Sequence, residues 1–133
     1  MNAVFLDTVG LLALWDVSDQ WHPAAEAAFA TLSREKVLLT TTSFVLLECA
    51  NAAARRPYRQ TVQRLRERME SNNMLVFPTD DDWRQAWAAY CQGDSGNPGI
   101  VDYVSFVVMR RLGVQKAFTN DRHFHDAGFE TLF

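Results

Sequence analysis

The chain has 133 residues, 48% of them hydrophobic and 22% charged, with 13 basic against 16 acidic side chains and a formal net charge of −3. Those values suit a single domain, residues 1–133, with one core, and they exclude a protein that coats nucleic acid through bulk positive charge. No apolar run is long enough to span a bilayer, and the N-terminus has neither the basic region nor the cleavage site of a signal peptide, so no membrane association and a cytoplasmic location are expected.

Ala3 to Leu6 is a short apolar run without alternation, which predicts a strand buried on both faces. Asp7 ends it, and a carboxylate buried there needs a cation or hydrogen bonds to be tolerated. Thr8 either caps the helix predicted from Val9 to Trp15 or holds the Asp7 carboxylate through its hydroxyl. Pro23 fits a first helical position and opens the alanine-rich helix PAAEAAFATLSRE, with His22 read as a cap or packing residue. Val37 to Thr41 is apolar and β-branched and predicts a second strand. The helix after it, SFVLLECANAAARR, carries Glu48 on an otherwise apolar and small-residue surface. Asn51 shares that face and is spaced to orient the Glu48 carboxylate.

Past Pro57, YRQTVQRLRERMESN predicts a basic helix. Within the fourteen residues 55–68, Arg55, Arg56, Arg59, Arg64, Arg66 and Arg68 stand against Glu67 alone, as a phosphate-steering stripe or as an ordinary solvated face. Met74 to Phe77 predicts a third strand closed by Pro78. Thr79 then caps a helix with Asp80, Asp81 and Asp82 in its first turn. Adjacent helical positions diverge by about 100°, so these aspartates read as capping residues rather than as one metal site. Trp83, Ala86, Trp87 and Tyr90 predict its buried stripe. Gln92 to Gly99, QGDSGNPG, reads as a flexible lid or substrate loop.

Asp102 falls in the first turn of an apolar helix, Val101 to Leu112, which Gly113 closes. Ser105, Phe106 and Met109 share its face at i+3, i+4 and i+7. Val114 to Thr119 predicts a buried strand, and Asp121 follows its carboxyl end, where open parallel sheets bind ligands. His123 and His125 read as structural or RNA-facing, and Phe129 to Phe133 as a last strand. Cys49 and Cys91 have no paired spacing, so they read as small core residues and suggest neither zinc nor a disulfide framework.

Singly, each carboxylate has a plain structural explanation: a helix dipole favours Asp in a first turn, and Asp is an ordinary turn residue after a strand. Together they form a pattern, an alternation of strands and helices with Asp7, Glu48, Asp102 and Asp121 at or near the junctions. Four oxygen ligands without clustered cysteine or histidine select a hard cation, Mg2+ or Mn2+. Such a site suits in-line displacement at a phosphodiester by an activated water.

Four stretches in this order, VFLDT, SFVLLECAN, IVDYVSFVVMRRLG and AFTNDRHFHDAGF, resemble the PIN-domain family, and more narrowly the VapC-type ribonuclease toxins of bacterial and archaeal toxin–antitoxin pairs. The resemblance covers essentially the whole chain. It implies a three-layer α/β/α domain around a central twisted parallel sheet of four to five strands. It also implies metal-dependent cleavage of single-stranded or structured RNA, leaving a 5′-phosphate and a 3′-hydroxyl. By the same resemblance Asp7, Glu48, Asp102 and Asp121 match the acidic quartet, and Thr8, Asn51 and Ser105 match its polar neighbours. A homodimer and a cognate antitoxin whose tail covers the acidic site are implied as well. The glycine-rich QGDSGNPGI departs from the Ser, Lys or other polar residue that many relatives carry there.

Two other classes compete with this reading. A phosphoacceptor receiver domain needs an early acidic pair and a Lys after its last strand, where this chain has Asn120 and Asp121. A catalytically silent PIN-like domain that binds protein or RNA is the alternative reading, and it would be expected to lack at least one of the four carboxylates.

Overall fold

The computed structural model describes residues 2–93 and 96–133; Asp94 and Ser95, in the middle of the predicted substrate loop, lie outside them. Among the described residues the strands are β1 (Ala3–Leu6), β2 (Leu38–Thr42), β3 (Leu75–Val76), β4 (Lys116–Phe118) and β5 (Glu130–Thr131). These five pair entirely in parallel in the order β3-β2-β1-β4-β5. Helices α1 (Thr8–Trp15) and α2 (His22–Glu35) link β1 to β2, and α3 (Ser43–Ala53) and α4 (Arg59–Ser71) link β2 to β3. The long return to β4 carries α5 (Asp80–Gln92) and α6 (Ile100–Leu112), and α7 (Arg122–Asp126) leads into β5. This is the α/β domain with a central parallel sheet flanked by helices that the alternation predicts, with the larger of the expected strand numbers.

β1 is buried along its whole length, because it is the central strand, paired to β2 on one side and β4 on the other. The chain order reverses at that strand, which makes the carboxyl edge of β1 and β4 the topological switch point of the sheet. The register sets the site: Leu6 lies opposite Phe118, so the next residues, Asp7 and Thr119, emerge side by side. On the other flank Thr41 donates its hydroxyl to the Leu6 carbonyl at 2.7 Å, extending the ladder to the same edge.

Gly10 fixes how closely α1 can seat over this edge. A Cβ at that position would meet the Phe118 carbonyl oxygen at 2.0 Å, well inside contact distance. The missing side chain therefore permits the first turn of α1, with Asp7 at its start, to lie against the end of β4. At the other end of the chain, Gly113 takes φ 72 and closes α6 as expected.

Two expectations about packing need correction. The α5 stripe is not buried: Trp83 and Tyr90 are exposed at 48% and 44%, and only Ala86 of the four is fully enclosed. Instead, Phe44, Trp83, Trp87, Tyr90, Tyr103 and Phe106 form an edge-to-face ladder across α3, α5 and α6, with centroid separations of 5.3 to 6.1 Å, the geometry ring quadrupoles favour. The buried group on α5 is Asp82, which completes a capping box with Thr79 and accepts two hydrogen bonds from Arg111 at 2.9 and 2.7 Å. Cys49 is buried as expected, but Cys91 is exposed. No helix among the described residues is long and apolar enough to cross a membrane.

Candidate active site

Asp7 is only 2% exposed. It serves as the N-cap of α1, accepting from the Val9 amide at 3.3 Å, and it accepts the Thr119 hydroxyl at 2.8 Å. The cap is thus Asp7 itself rather than Thr8. The Thr8 hydroxyl points elsewhere and donates to Glu48 Oε1 at 2.7 Å, tying the start of α1 to the second turn of α3. Asn51 lies exposed on α3, and among the described residues no hydrogen bond joins it to Glu48.

Asp102 sits in the first turn of α6, behind Gly99 at the N-cap. Asp121 caps α7 by accepting from the His123 amide at 2.9 Å, and its own amide donates to Thr119 Oγ1 at 3.1 Å. Thr119 therefore bridges the two aspartates, donating to Asp7 while accepting from the Asp121 backbone. One turn past Asp102, Ser105 is fully buried, and its hydroxyl has no hydrogen-bond partner among the described residues.

The electrostatics join all four carboxylates. Burial pushes Asp7 up to about 7, with the charges of Asp102 and Asp121 adding to the rise and the Thr119 hydrogen bond opposing it. Asp102 is pushed up to about 6, first by burial and then by Asp121 and Glu48, against His123 and a backbone hydrogen bond at Gly99. Carboxylates whose neighbours' negative charges push Asp7 and Asp102 up in this way form a site with excess anionic potential, which a cation relieves. Next to them, burial first and then Asp7 and Glu48 hold the Cys49 thiol at about 12, so it stays protonated and inert.

His123 is the member of this constellation that sequence reasoning missed. Its Nδ1 lies 3.1 Å from Asp121 Oδ1 and 3.5 Å from Asp102 Oδ2, and its Nε2 lies 2.7 Å from the Gly96 carbonyl oxygen. Burial lowers the pKa of this imidazole, but the Gly96 hydrogen bond and the two carboxylates outweigh it and the net shift is upward. Donor atoms of Asp102, Asp121 and His123 lie within 4.8 Å of one another. Such a set fits a divalent cation, and the orphaned Ser105 hydroxyl on the same helix as Asp102 is in keeping with a polar pocket. The signal in the sequence was the i+2 spacing of His123 from Asp121, which a tight Asp-capped turn folds back onto the carboxylate. Thr119 was missed as well, since its partner is 112 residues distant.

The basic stretch is partly committed to structure. Arg56 reaches Asp16 at 3.7 Å, Arg66 pairs with Glu70 at 2.6 Å, and Arg59 donates to the Ala54 carbonyl. Arg64 and Arg68 are exposed on α4 and make no ion pair among the described residues.

A parallel sheet whose switch point carries clustered carboxylates defines the class, and the chain belongs to the PIN domain family, whose model matches residues 4–130. Within that family it is 32% identical over 127 residues, 95% of each chain, to the protein named 23S rRNA-specific endonuclease VapC20 from two strains of Mycobacterium tuberculosis, CDC 1551 / Oshkosh and ATCC 25618 / H37Rv. It also superposes on the crystal structure of Mycobacterium tuberculosis VapC20, described as a Sarcin-Ricin loop cleaving toxin, with a TM-score of 0.82 and 28% identity over 95% of both chains.

Proposed function

We propose that this protein is a metal-dependent endoribonuclease, the toxin of a type II toxin–antitoxin pair, and that its substrate is a loop of large-subunit ribosomal RNA. The observation that supports this reading is the approach of the carboxylates at the carboxyl edge of β1 and β4, where the charges of Asp102 and Asp121 help to raise Asp7 and those of Asp121 and Glu48 help to raise Asp102. Similarity over nearly the full length to a protein named as a 23S rRNA-specific endonuclease supports this choice of substrate.

In this mechanism Asp102 and Asp121 would hold the cation, Mg2+ or Mn2+, which would supply activation of a water and neutralisation of charge for in-line displacement at the phosphodiester. Asp7 is held by the Thr119 hydroxyl and the Val9 amide, both on Oδ2, which leaves Oδ1 to help hold the cation or its water. Glu48 spends one oxygen on Thr8, which leaves the other to orient a water. Arg64 and Arg68 supply positive charge for the RNA backbone. A homodimer and a cognate antitoxin belong to the same proposal, with exposed Leu47, Phe77 and Trp83 offering apolar surface for such contacts, and so does a cytoplasmic location.

The test is primer-extension mapping of ribosomal RNA after incubating ribosomes with purified protein and Mn2+ or Mg2+, beside the Asp121→Asn variant. A discrete cut in the large-subunit RNA that the variant fails to make supports the reading. The absence of any cut, or an equal cut by the variant, overturns it and returns the protein to the binding-module class.

A further inference from the structure

We propose that His123 is a direct nitrogen ligand to the cation held by Asp102 and Asp121, so that the site is a mixed oxygen and nitrogen centre that selects Mn2+ over Mg2+. This rests on the metal-dependent reading above and assigns a role that the carboxylates alone do not have.

The argument begins at the far side of the ring. The Gly96 carbonyl can only accept a hydrogen bond, so His123 Nε2, 2.7 Å away, carries the proton. In the neutral imidazole that leaves Nδ1 with a free lone pair. Nδ1 is buried and makes no hydrogen bond of acceptable geometry, yet it stands 3.1 Å from Asp121 Oδ1 and 3.5 Å from Asp102 Oδ2. Without a shared positive charge these three atoms repel one another; in the metal-free site a proton on the imidazole supplies it, in line with the upward shift of His123, and a bound cation takes that proton's place.

A cation among them removes that conflict, and the spacing suits one. Adjacent ligands around an octahedral cation with bonds of about 2.1 Å lie about 3 Å apart, close to the two separations seen here. The outer contact also has the form expected of a metal-bound histidine, whose second ring nitrogen donates to a backbone carbonyl and so fixes tautomer and orientation. Gly96 is suited to that task. It takes φ 89, and a Cβ there would already stand 3.4 Å from the His123 ring, so the glycine lets the backbone lie against the imidazole.

The consequence is selectivity. Oxygen-only sites suit Mg2+ and Mn2+ alike, whereas imidazole favours the transition metal. Asp7 and Glu48 do not alter this preference, because neither contributes nitrogen.

The experiment is pulsed electron paramagnetic resonance of Mn2+ bound to the full-length protein, with histidine labelled by 15N, alongside calorimetric titration of Mn2+ and Mg2+ into wild type, His123→Ala and His123→Asp. Coupling of the Mn2+ spin to a histidine nitrogen is expected in wild type and absent in both variants. His123→Ala is expected to lose at least about tenfold in Mn2+ affinity, and His123→Asp to narrow the preference for Mn2+ over Mg2+. Mn2+ binding without nitrogen coupling, and unchanged in His123→Ala whose circular dichroism matches wild type, overturns the ligand assignment while leaving the nuclease reading in place; the imidazole then bridges the carboxylates through a proton. No Mn2+ binding by wild type overturns both.

Discussion

Thr119 donates its hydroxyl to Asp7 at 2.8 Å and accepts from the Asp121 amide at 3.1 Å, so one side chain at the end of β4 fixes two carboxylates that approach from opposite ends of the chain. The register that places Phe118 opposite Leu6 makes this contact unavoidable. Replacing Thr119 with Val keeps the volume and removes the hydroxyl. Asp7, already pushed to about 7, then loses a hydrogen bond that lowers it. The alkaline shift of the acid limb in the pH profile of RNA cleavage checks this; a profile identical to wild type contradicts it.

The raised carboxylates make the metal-free protein less stable as pH rises. Below about pH 4 Asp7 and Asp102 are neutral in both folded and unfolded chains and contribute nothing. Between that point and about 6 to 7 the unfolded chain releases these protons while the folded one retains them, so stability falls through the window and stays low above it. Asp7→Asn relieves its share, by on the order of 1 to 4 kcal/mol above pH 7, and the gain disappears near pH 4. Thermal melts in chelator across pH 4 to 8 read this directly. A variant less stable than wild type at pH 8 contradicts it.

Much of this was legible in the chain itself. The β1 run announces burial on both faces and the apolar helix α6 announces a largely buried one, and Asp7, Glu48, Asp102 and Asp121 stand out because each interrupts an apolar context or follows a strand. What was not legible depends on partners far apart in sequence. Thr8 reads as a cap or as a partner of Asp7, yet its hydroxyl is taken by Glu48, because α1 and α3 pack side by side. The Trp83 to Tyr90 stripe has helical periodicity, but periodicity marks an apolar face without saying whether the fold covers it, and α5 leaves Trp83 and Tyr90 substantially exposed. His123 gained its meaning only when the turn at Asp121 brought it between two carboxylates.

Thr8→Val isolates the support of Glu48. A hydrogen bond to a charged group contributes roughly 1.5 to 3 kcal/mol, so the variant is expected to lose at least about tenfold in kcat with little change in KM, while Thr8→Ser retains most activity. Steady-state kinetics on a short labelled RNA decide it. An equal loss in both variants contradicts a role for the hydroxyl.

Gly10→Ala tests the seat of α1 on β4. With the Phe118 carbonyl oxygen 2.0 Å from the new Cβ, neither backbone can yield cheaply, and overpacking of this kind costs about 1 to 3 kcal/mol. A lowered Tm together with reduced cleavage is expected, since the same shift separates Asp7 from Thr119. A variant as stable as wild type contradicts the close approach.

The most direct measurement is cleavage of end-labelled RNA by the purified protein in Mg2+, in Mn2+ and in chelator, beside Asp102→Asn. Discrete products that need the metal and vanish in the variant are the predicted result. Cleavage that persists in chelator, or that Asp102→Asn carries out as well as wild type, contradicts the carboxylate site as the seat of the chemistry.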